Sequence, residues 1–86
     1  MKKIIEETES EGLEKLLGEK VLLMCNCYFY TGTLVGVNES VVKLKDPAIV
    51  YETGAWGNKT YQDMQPFHTD TWYVSIASIE SFGRSK

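Results

Sequence analysis

The segment from residue 30 to residue 46, YTGTLVGVNESVVKLKD, constrains the fold more than any other part of the chain. Two apolar, β-branched runs flank a polar turn at residues 38–40, a pattern that predicts two adjacent antiparallel strands. Gly32 and Gly36 interrupt the first run. A glycine inside a strand marks a sharp bend or a close approach of two backbones. The segment therefore predicts a sheet that curls into a small barrel.

The remaining pattern predicts the other elements of a single domain over residues 1–86. Apolar periodicity and a capping-box spacing between Thr8 and Glu11 predict an N-terminal α-helix within about residues 4–17. Alternation of apolar and polar residues predicts strands within about 20–52 and 70–82. The aromatic-rich, turn-rich stretch at about 53–69 reads as an insertion, and the residues after Phe82 as a tail. The predicted fold is mainly β: a helix followed by a strongly bent, five-stranded antiparallel barrel of SH3 type.

The small size of the chain predicts self-association. A domain of 86 residues buries only about 60% of its unfolded surface, so it often depends on cross-links or partners. Cys25 and Cys27 are too close along one strand for an unstrained disulfide. With His68 they make too few ligands for a metal site. Oligomerisation is therefore the expected source of additional buried surface.

The charge distribution argues against strong binding of nucleic acids. The formal net charge is −3, and glutamates crowd the N-terminal segment. The basic face with interleaved aromatics that is typical of a tight nucleic-acid binder is not visible in the sequence. No apolar run approaches the roughly 18 residues of a membrane span. These features predict a cytoplasmic protein without a membrane partner.

Two motifs resemble those of the Sm and Sm-like family of RNA-associated proteins. Gly32-Thr33-Leu34, followed by Asn38 in the polar turn, resembles the family's first motif. The short turn leading directly into residues 41–45 is similar to the bacterial, Hfq-type branch. Residues 74–79 keep the apolar frame of the second motif, Ile-Arg-Gly-x-x-Ile, but Ser75 and Ile76 replace its Arg-Gly. The resemblance spans about residues 11–82 apart from the insertion and implies the Sm-like form of the barrel.

The resemblance also implies a site and an interface. In the family, the turn after the second strand and the turn between the last two strands line a central pore and hold uridines. The implied RNA-binding residues here are Asn38, Glu39, Ser40, Tyr73 and Ser75. The implied subunit interface consists of Trp72, Val74, Ile76 and Ile79, which we expect to form exposed apolar edges. Because the site includes no cation, the expected RNA binding is weak.

The sequence contains no recognisable catalytic set. His68 has no companion base or acid, and Asp63 and Asp70 are isolated carboxylates. We therefore expect no enzymatic activity, no cofactor, no metal and no small-molecule substrate. The aromatic run at residues 28–30 is interpreted as a base-stacking surface or as core packing. The insertion's aromatics are interpreted as a partner clasp or as packing on the domain itself.

The favoured function is a homo-oligomeric Sm-like ring that binds single-stranded RNA weakly at a central pore, in an RNA-chaperone or RNA-processing role. One alternative is a ring-shaped scaffold that binds protein and not RNA. Another is a monomeric adaptor with an SH3-like fold. Native mass separates the last alternative from the other two, and copurifying nucleic acid separates the first from the second.

Overall fold

The computed structural model describes residues 12–86. This part of the chain is mainly β, with six strands: β1 (Lys20–Cys25), β2 (Phe29–Val37), β3 (Val41–Glu52), β4 (Asp63–Pro66), β5 (Thr71–Ser75) and β6 (Ile79–Arg84). Short 3₁₀ turns at Leu13–Leu16 and Ile76–Ser78 complete the regular structure.

The strands form one antiparallel sheet in the order β4-β3-β2-β1-β6, and β5 also pairs with β3. The long β3 strand has two partners on the same side. Its first half, from Val41 to Lys45, pairs with β5, and its second half, from Ala48 onward, pairs with β4. The sheet therefore splits into two branches at the middle of β3. The candidate site lies on the branch that contains β5 and the first half of β3.

A backbone bend at Asp46 and Pro47 separates the two halves of β3. Asp46 adopts a left-handed conformation with φ of 51°, which is unusual for a residue other than glycine. Its N–H leaves the β2 ladder and donates to the carbonyl of Asp70, 3.0 Å away. The register between β2 and β3 shifts opposite this point, at Gly32, and again near Gly36. Both glycines thus lie where the sequence predicts bends.

The core consists of two clusters on opposite faces of β1. Alternate residues of β1 enter each cluster because neighbouring side chains of a strand point to opposite faces. The larger cluster contains Val21, Leu23, Cys25, Leu34, Val42, Leu44 and Val74. The smaller one contains Leu22, Val50 and Tyr61. Both faces of β1 are therefore buried.

The prediction of a closed five-stranded barrel is wrong. The described residues form an open sheet of six strands, because β4 and β6 end the sheet without pairing with each other. The additional strand, β4, lies in the stretch that the sequence presents as an insertion. A barrel requires each edge to find a partner, whereas here β3 divides its pairing between β4 and β5.

The predicted N-terminal α-helix is also wrong where the structure describes it. Residues 12–17 contain only the 3₁₀ turn at Leu13–Leu16; residues 4–11, with the Thr8–Glu11 capping box, lie outside the described part. Gly12 and Gly18 both have left-handed φ angles, of 77° and 87°, and limit the turn on each side. So short a segment cannot offset the cost of helix nucleation.

Candidate nucleic-acid interface

The turn at residues 38–40 is held by its own asparagine. The side-chain oxygen of Asn38 accepts hydrogen bonds from the backbone N–H groups of Ser40 at 2.7 Å and Val41 at 2.8 Å. This asparagine turn is a local alternative to a backbone-only turn. It fixes the exposed side chains of Glu39 and Ser40 at the end of the β2–β3 hairpin. The amide nitrogen of Asn38 makes no hydrogen bond to another described residue.

The two turns named in the sequence analysis meet at one end of the molecule. The N–H of Ile76 donates to the carbonyl of Ser40 at 3.0 Å, and Ser75 pairs with Val41 across the β3–β5 ladder. Tyr73 lies two pairs further along, opposite Lys43. The five predicted RNA-binding residues, Asn38, Glu39, Ser40, Tyr73 and Ser75, are all exposed and lie along the same strand pair.

A lysine completes this surface. The ammonium of Lys43 lies 5.8 Å from the ring centroid of Tyr73, within the range of a cation–π contact. Tyr73 is 59% exposed, so much of this residue is accessible to solvent. Lys45, two pairs away, is also exposed. Both lysines lie about thirty residues before Tyr73 in the sequence, and only the strand register brings them close to it.

A groove runs behind β5. It is lined by the turn from Cys25 to Tyr28, by Tyr30, and by the residues from Trp72 to Ser75. Burial, followed by the charge of Glu80, raises the pKa of the Cys25 thiol. Burial also raises the pKa of the Tyr30 hydroxyl. Both groups are therefore protonated at neutral pH, and neither is activated as a nucleophile.

Aromatic rings stack beside this groove. Phe67 stacks on Trp72, which lines the groove, with centroids 4.3 Å apart and planes 13° apart, and the ring centroid of Tyr30, also in the lining, lies 6.3 Å from that of Phe67. The three aromatic residues of the insertion therefore differ in their surroundings. Phe67 packs on the domain, and Tyr61 is buried in the smaller core cluster. Trp56 is the exposed member of the three, at 58%.

The aromatic run at residues 28–30 does not form a continuous base-stacking surface. Phe29 packs against the smaller core cluster and Tyr30 against the larger one. Tyr28 is exposed and makes an edge-on contact with Tyr51 at 6.2 Å. The consecutive residues Phe29 and Tyr30 therefore pack against the core on opposite faces of the sheet.

The expectation that the four apolar interface residues are all exposed is wrong for Val74. Val74 is buried in the larger core cluster, and Ile76 and Ile79 are partly buried against it. Trp72 is exposed to 39%. The apolar side chains at these positions serve mainly the protein's own core. Within residues 12–86, no strand pairs with the backbone edge of β5 that faces away from β3.

Residues 12–86 contain no group of three or more side chains that could hold a metal ion. None of the helical segments in that range is long and apolar enough to cross a membrane. No protein-family model matches the chain, and neither curated proteins nor solved structures gave a match.

Proposed function

We propose that the protein binds single-stranded RNA weakly through the β5 surface, defined as Asn38, Ser40, Lys43, Tyr73 and Ser75. The observation that carries the proposal is the exposed Tyr73 ring, with the Lys43 ammonium 5.8 Å from its centroid, beside a rigid polar turn. This combination offers a stacking face, a cation and hydrogen-bonding groups within one short stretch of sheet.

Each part of the β5 surface suits one part of a nucleotide. An aromatic side chain that stacks on a base contributes about 1–3 kcal/mol. Lys43 can approach a phosphate while it remains over the Tyr73 ring. The free amide nitrogen of Asn38 and the serine hydroxyls can bond the edges of unpaired bases. Glu39, in the same turn, and the net charge of −3 oppose phosphate, so affinity should be low.

The first test is Tyr73→Ala against the matched variant Tyr51→Ala. Tyr51 is also an exposed tyrosine on the sheet, 52% exposed, but lies on the second half of β3. We expect Tyr73→Ala to weaken the binding of a fluorescent oligouridine about tenfold, the equivalent of about 1.4 kcal/mol and within the range for one stacked base. Tyr51→Ala should bind like the wild type. Fluorescence anisotropy measures both.

The dependence of RNA affinity on salt concentration is a second measurement in the same experiment. The slope of log affinity against log salt should be shallow, about −0.7 for each phosphate contacted by a single strand. Lys43→Gln should remove about one such contact. Equal losses for Tyr73→Ala and Tyr51→Ala, or no binding of oligouridine or oligoadenosine by the wild type, would overturn the proposal.

A second candidate function, protein binding by strand addition, is favoured by the free edge of β5. The hydrogen bonds from Ile76 N to Ser40 O and from Asp46 N to Asp70 O show which residue pairs of the β3–β5 ladder are hydrogen-bonded. Because the pattern of an antiparallel pair alternates, the N–H groups of Tyr73 and Ser75 point away from β3. An open edge of this kind is a template for another strand. The expected occupant is a second copy of this chain, through the equally open edge of β6.

Self-association through this edge can be tested with one proline. Ser75 has φ of −67°, which proline adopts without strain, and its N–H makes no ladder bond to β3. Ser75→Pro should therefore remove an edge donor and leave the fold intact, whereas Ser75→Ala keeps the donor. We expect sedimentation to give the wild type and Ser75→Ala a mass above the 9.8 kDa monomer, and Ser75→Pro a lower mass. A monomeric wild type at micromolar concentration would exclude the assembly.

A further inference from the structure

The loop between β3 and β4, residues 53–62, forms a cup that the RNA proposal does not use. Gly54 adopts a left-handed φ of 71° and turns the chain at the start of the loop. Two backbone hydrogen bonds, Asn58 N to Ala55 O at 3.0 Å and Gln62 N to Thr53 O at 3.4 Å, hold its shape. Tyr61 anchors its far end in the smaller core cluster. The loop's own residues thus define the cup.

The ammonium group of Lys86, the last residue of the sequence, lies in this cup. It donates to the backbone carbonyl oxygens of Thr53 at 2.5 Å, Ala55 at 3.0 Å and Thr60 at 3.3 Å. A primary ammonium has three N–H donors and no acceptor. Three carbonyl oxygens from one loop therefore satisfy all of its hydrogen-bonding capacity.

Two aromatic rings complete the cup. The Lys86 ammonium lies 5.1 Å from the ring centroid of Trp56 and 5.1 Å from that of Tyr61. Aromatic faces at this distance attract a cation, and two rings around one ammonium form an incomplete aromatic cage. Carbonyl oxygens together with ring faces select a positively charged group that also carries N–H donors. A trimethylated ammonium has the charge but cannot donate.

The backbone that carries Lys86 is attached by a separate set of contacts. Ser85 N donates to Lys20 O at 2.9 Å, so the chain beyond β6 continues the pairing with β1. The hydroxyl groups of Tyr61 and Ser85 are 2.7 Å apart, and Thr31 Oγ1 donates to Ser85 Oγ at 3.1 Å. The side chain of Lys86 can therefore leave the cup while the preceding backbone stays in place.

We propose that the 53–62 loop is a binding site for a lysine ammonium group, occupied in cis by Lys86 and open to a lysine side chain of another protein when Lys86 is displaced. The internal lysine competes at the high effective concentration of a tethered ligand. Trp56 is 58% exposed, so the cup opens to solvent and a side chain from outside can reach it. Lys86 then stabilises the loop and also competes with an external lysine for the cup.

The test uses the full chain with Trp72→Phe, so that Trp56 is the only tryptophan and reports on the cup. In this background Lys86→Ala is titrated with Nα-acetyl-lysine amide and compared with the parent that retains Lys86. We expect a saturable change of Trp56 fluorescence in Lys86→Ala, at an apparent affinity at least tenfold tighter than in the parent. The Nε-acetylated and Nε-trimethylated ligands are the matched controls, and both should bind at least tenfold more weakly.

If Lys86→Ala destabilises the loop, thermal unfolding provides a second measurement of ligand binding. In that case the melting temperature should fall, and Nα-acetyl-lysine amide should restore it while the Nε-acetylated ligand should not. If Lys86→Ala shows neither a saturable fluorescence change nor a recovery of the melting temperature with Nα-acetyl-lysine amide, the proposal is overturned. An equal response to the acetylated ligand would overturn it as well, because the cup would then not recognise the ammonium.

Discussion

Leu34→Ala should lower the free energy of unfolding by about 2–5 kcal/mol, the range measured for removing a leucine side chain from a packed core. Leu34 is fully buried and contacts the larger core cluster, in which Leu23 and Leu44 are also fully buried. A domain of this size has a total stability of only about 4–13 kcal/mol. The variant should therefore lose a large part of its stability, and urea unfolding followed by circular dichroism measures the loss.

Val35→Ala is the matched control for this experiment. Val35 follows Leu34 in β2 but points to the other face and is 45% exposed. Truncating an exposed side chain leaves no cavity, so we expect a change within about 1 kcal/mol. Similar losses for the two variants would show that β2 does not present Leu34 to the core.

The strands around the core were predictable because burial imposes a period of two on the sequence. β1, β2 and the first half of β3 lie where alternating apolar residues and the turn at 38–40 place them. The two glycines of β2 indicated the bends, which appear as register shifts between β2 and β3. These signals are local, and each can be read from a few neighbouring residues.

The openness of the sheet was not predictable, because it depends on pairing between distant segments. β4, Asp63–Pro66, is exposed along its whole length, and its sequence lacks the apolar alternation that would predict a strand. Its pairing with β3 depends on the bend at Asp46, a left-handed residue that sequence patterns do not reveal. At the N-terminal side, leucine spacing suggested a helix, but the glycines at 12 and 18 leave room only for a 3₁₀ turn.

The candidate site shows the same division between local and long-range information. The turn at 38–40 and the residues of β5 were identified from the resemblance, yet the contact between Lys43 and Tyr73 required the register of β3 with β5. Alternation groups Trp72 with Val74 on one face, but it does not say whether that face meets solvent or the core. Val74 is buried there in the cluster that contains Val42 and Leu44, whereas Trp72 is exposed.

Gly32→Val should destabilise the domain far more than Gly83→Val. A Cβ atom on Gly32 would lie 3.0 Å from the carbonyl oxygen of Lys45, 3.1 Å from Leu44 Cβ and 3.3 Å from Pro47 Cα. Two of these atoms belong to the backbone at the bend of β3, which cannot move without disturbing its pairing with β4 and β5. Forcing a side chain into a packed site costs about 1–3 kcal/mol or more, and the two branches of valine favour the upper end.

Gly83 is a close structural match for Gly32 without the crowding. Gly32 pairs with Val21 of β1, and Gly83 pairs with the next residue, Leu22, on the opposite side of the same strand. Apart from its two chain neighbours, no residue within 12–86 would have a heavy atom within 4 Å of a Cβ atom at Gly83. Since about 1 kcal/mol shifts the melting temperature of a domain this small by roughly 4–8 °C, Gly32→Val should melt at least about 10 °C below Gly83→Val. Equal melting temperatures would mean that β2 and the bend of β3 do not approach each other as closely as these distances require.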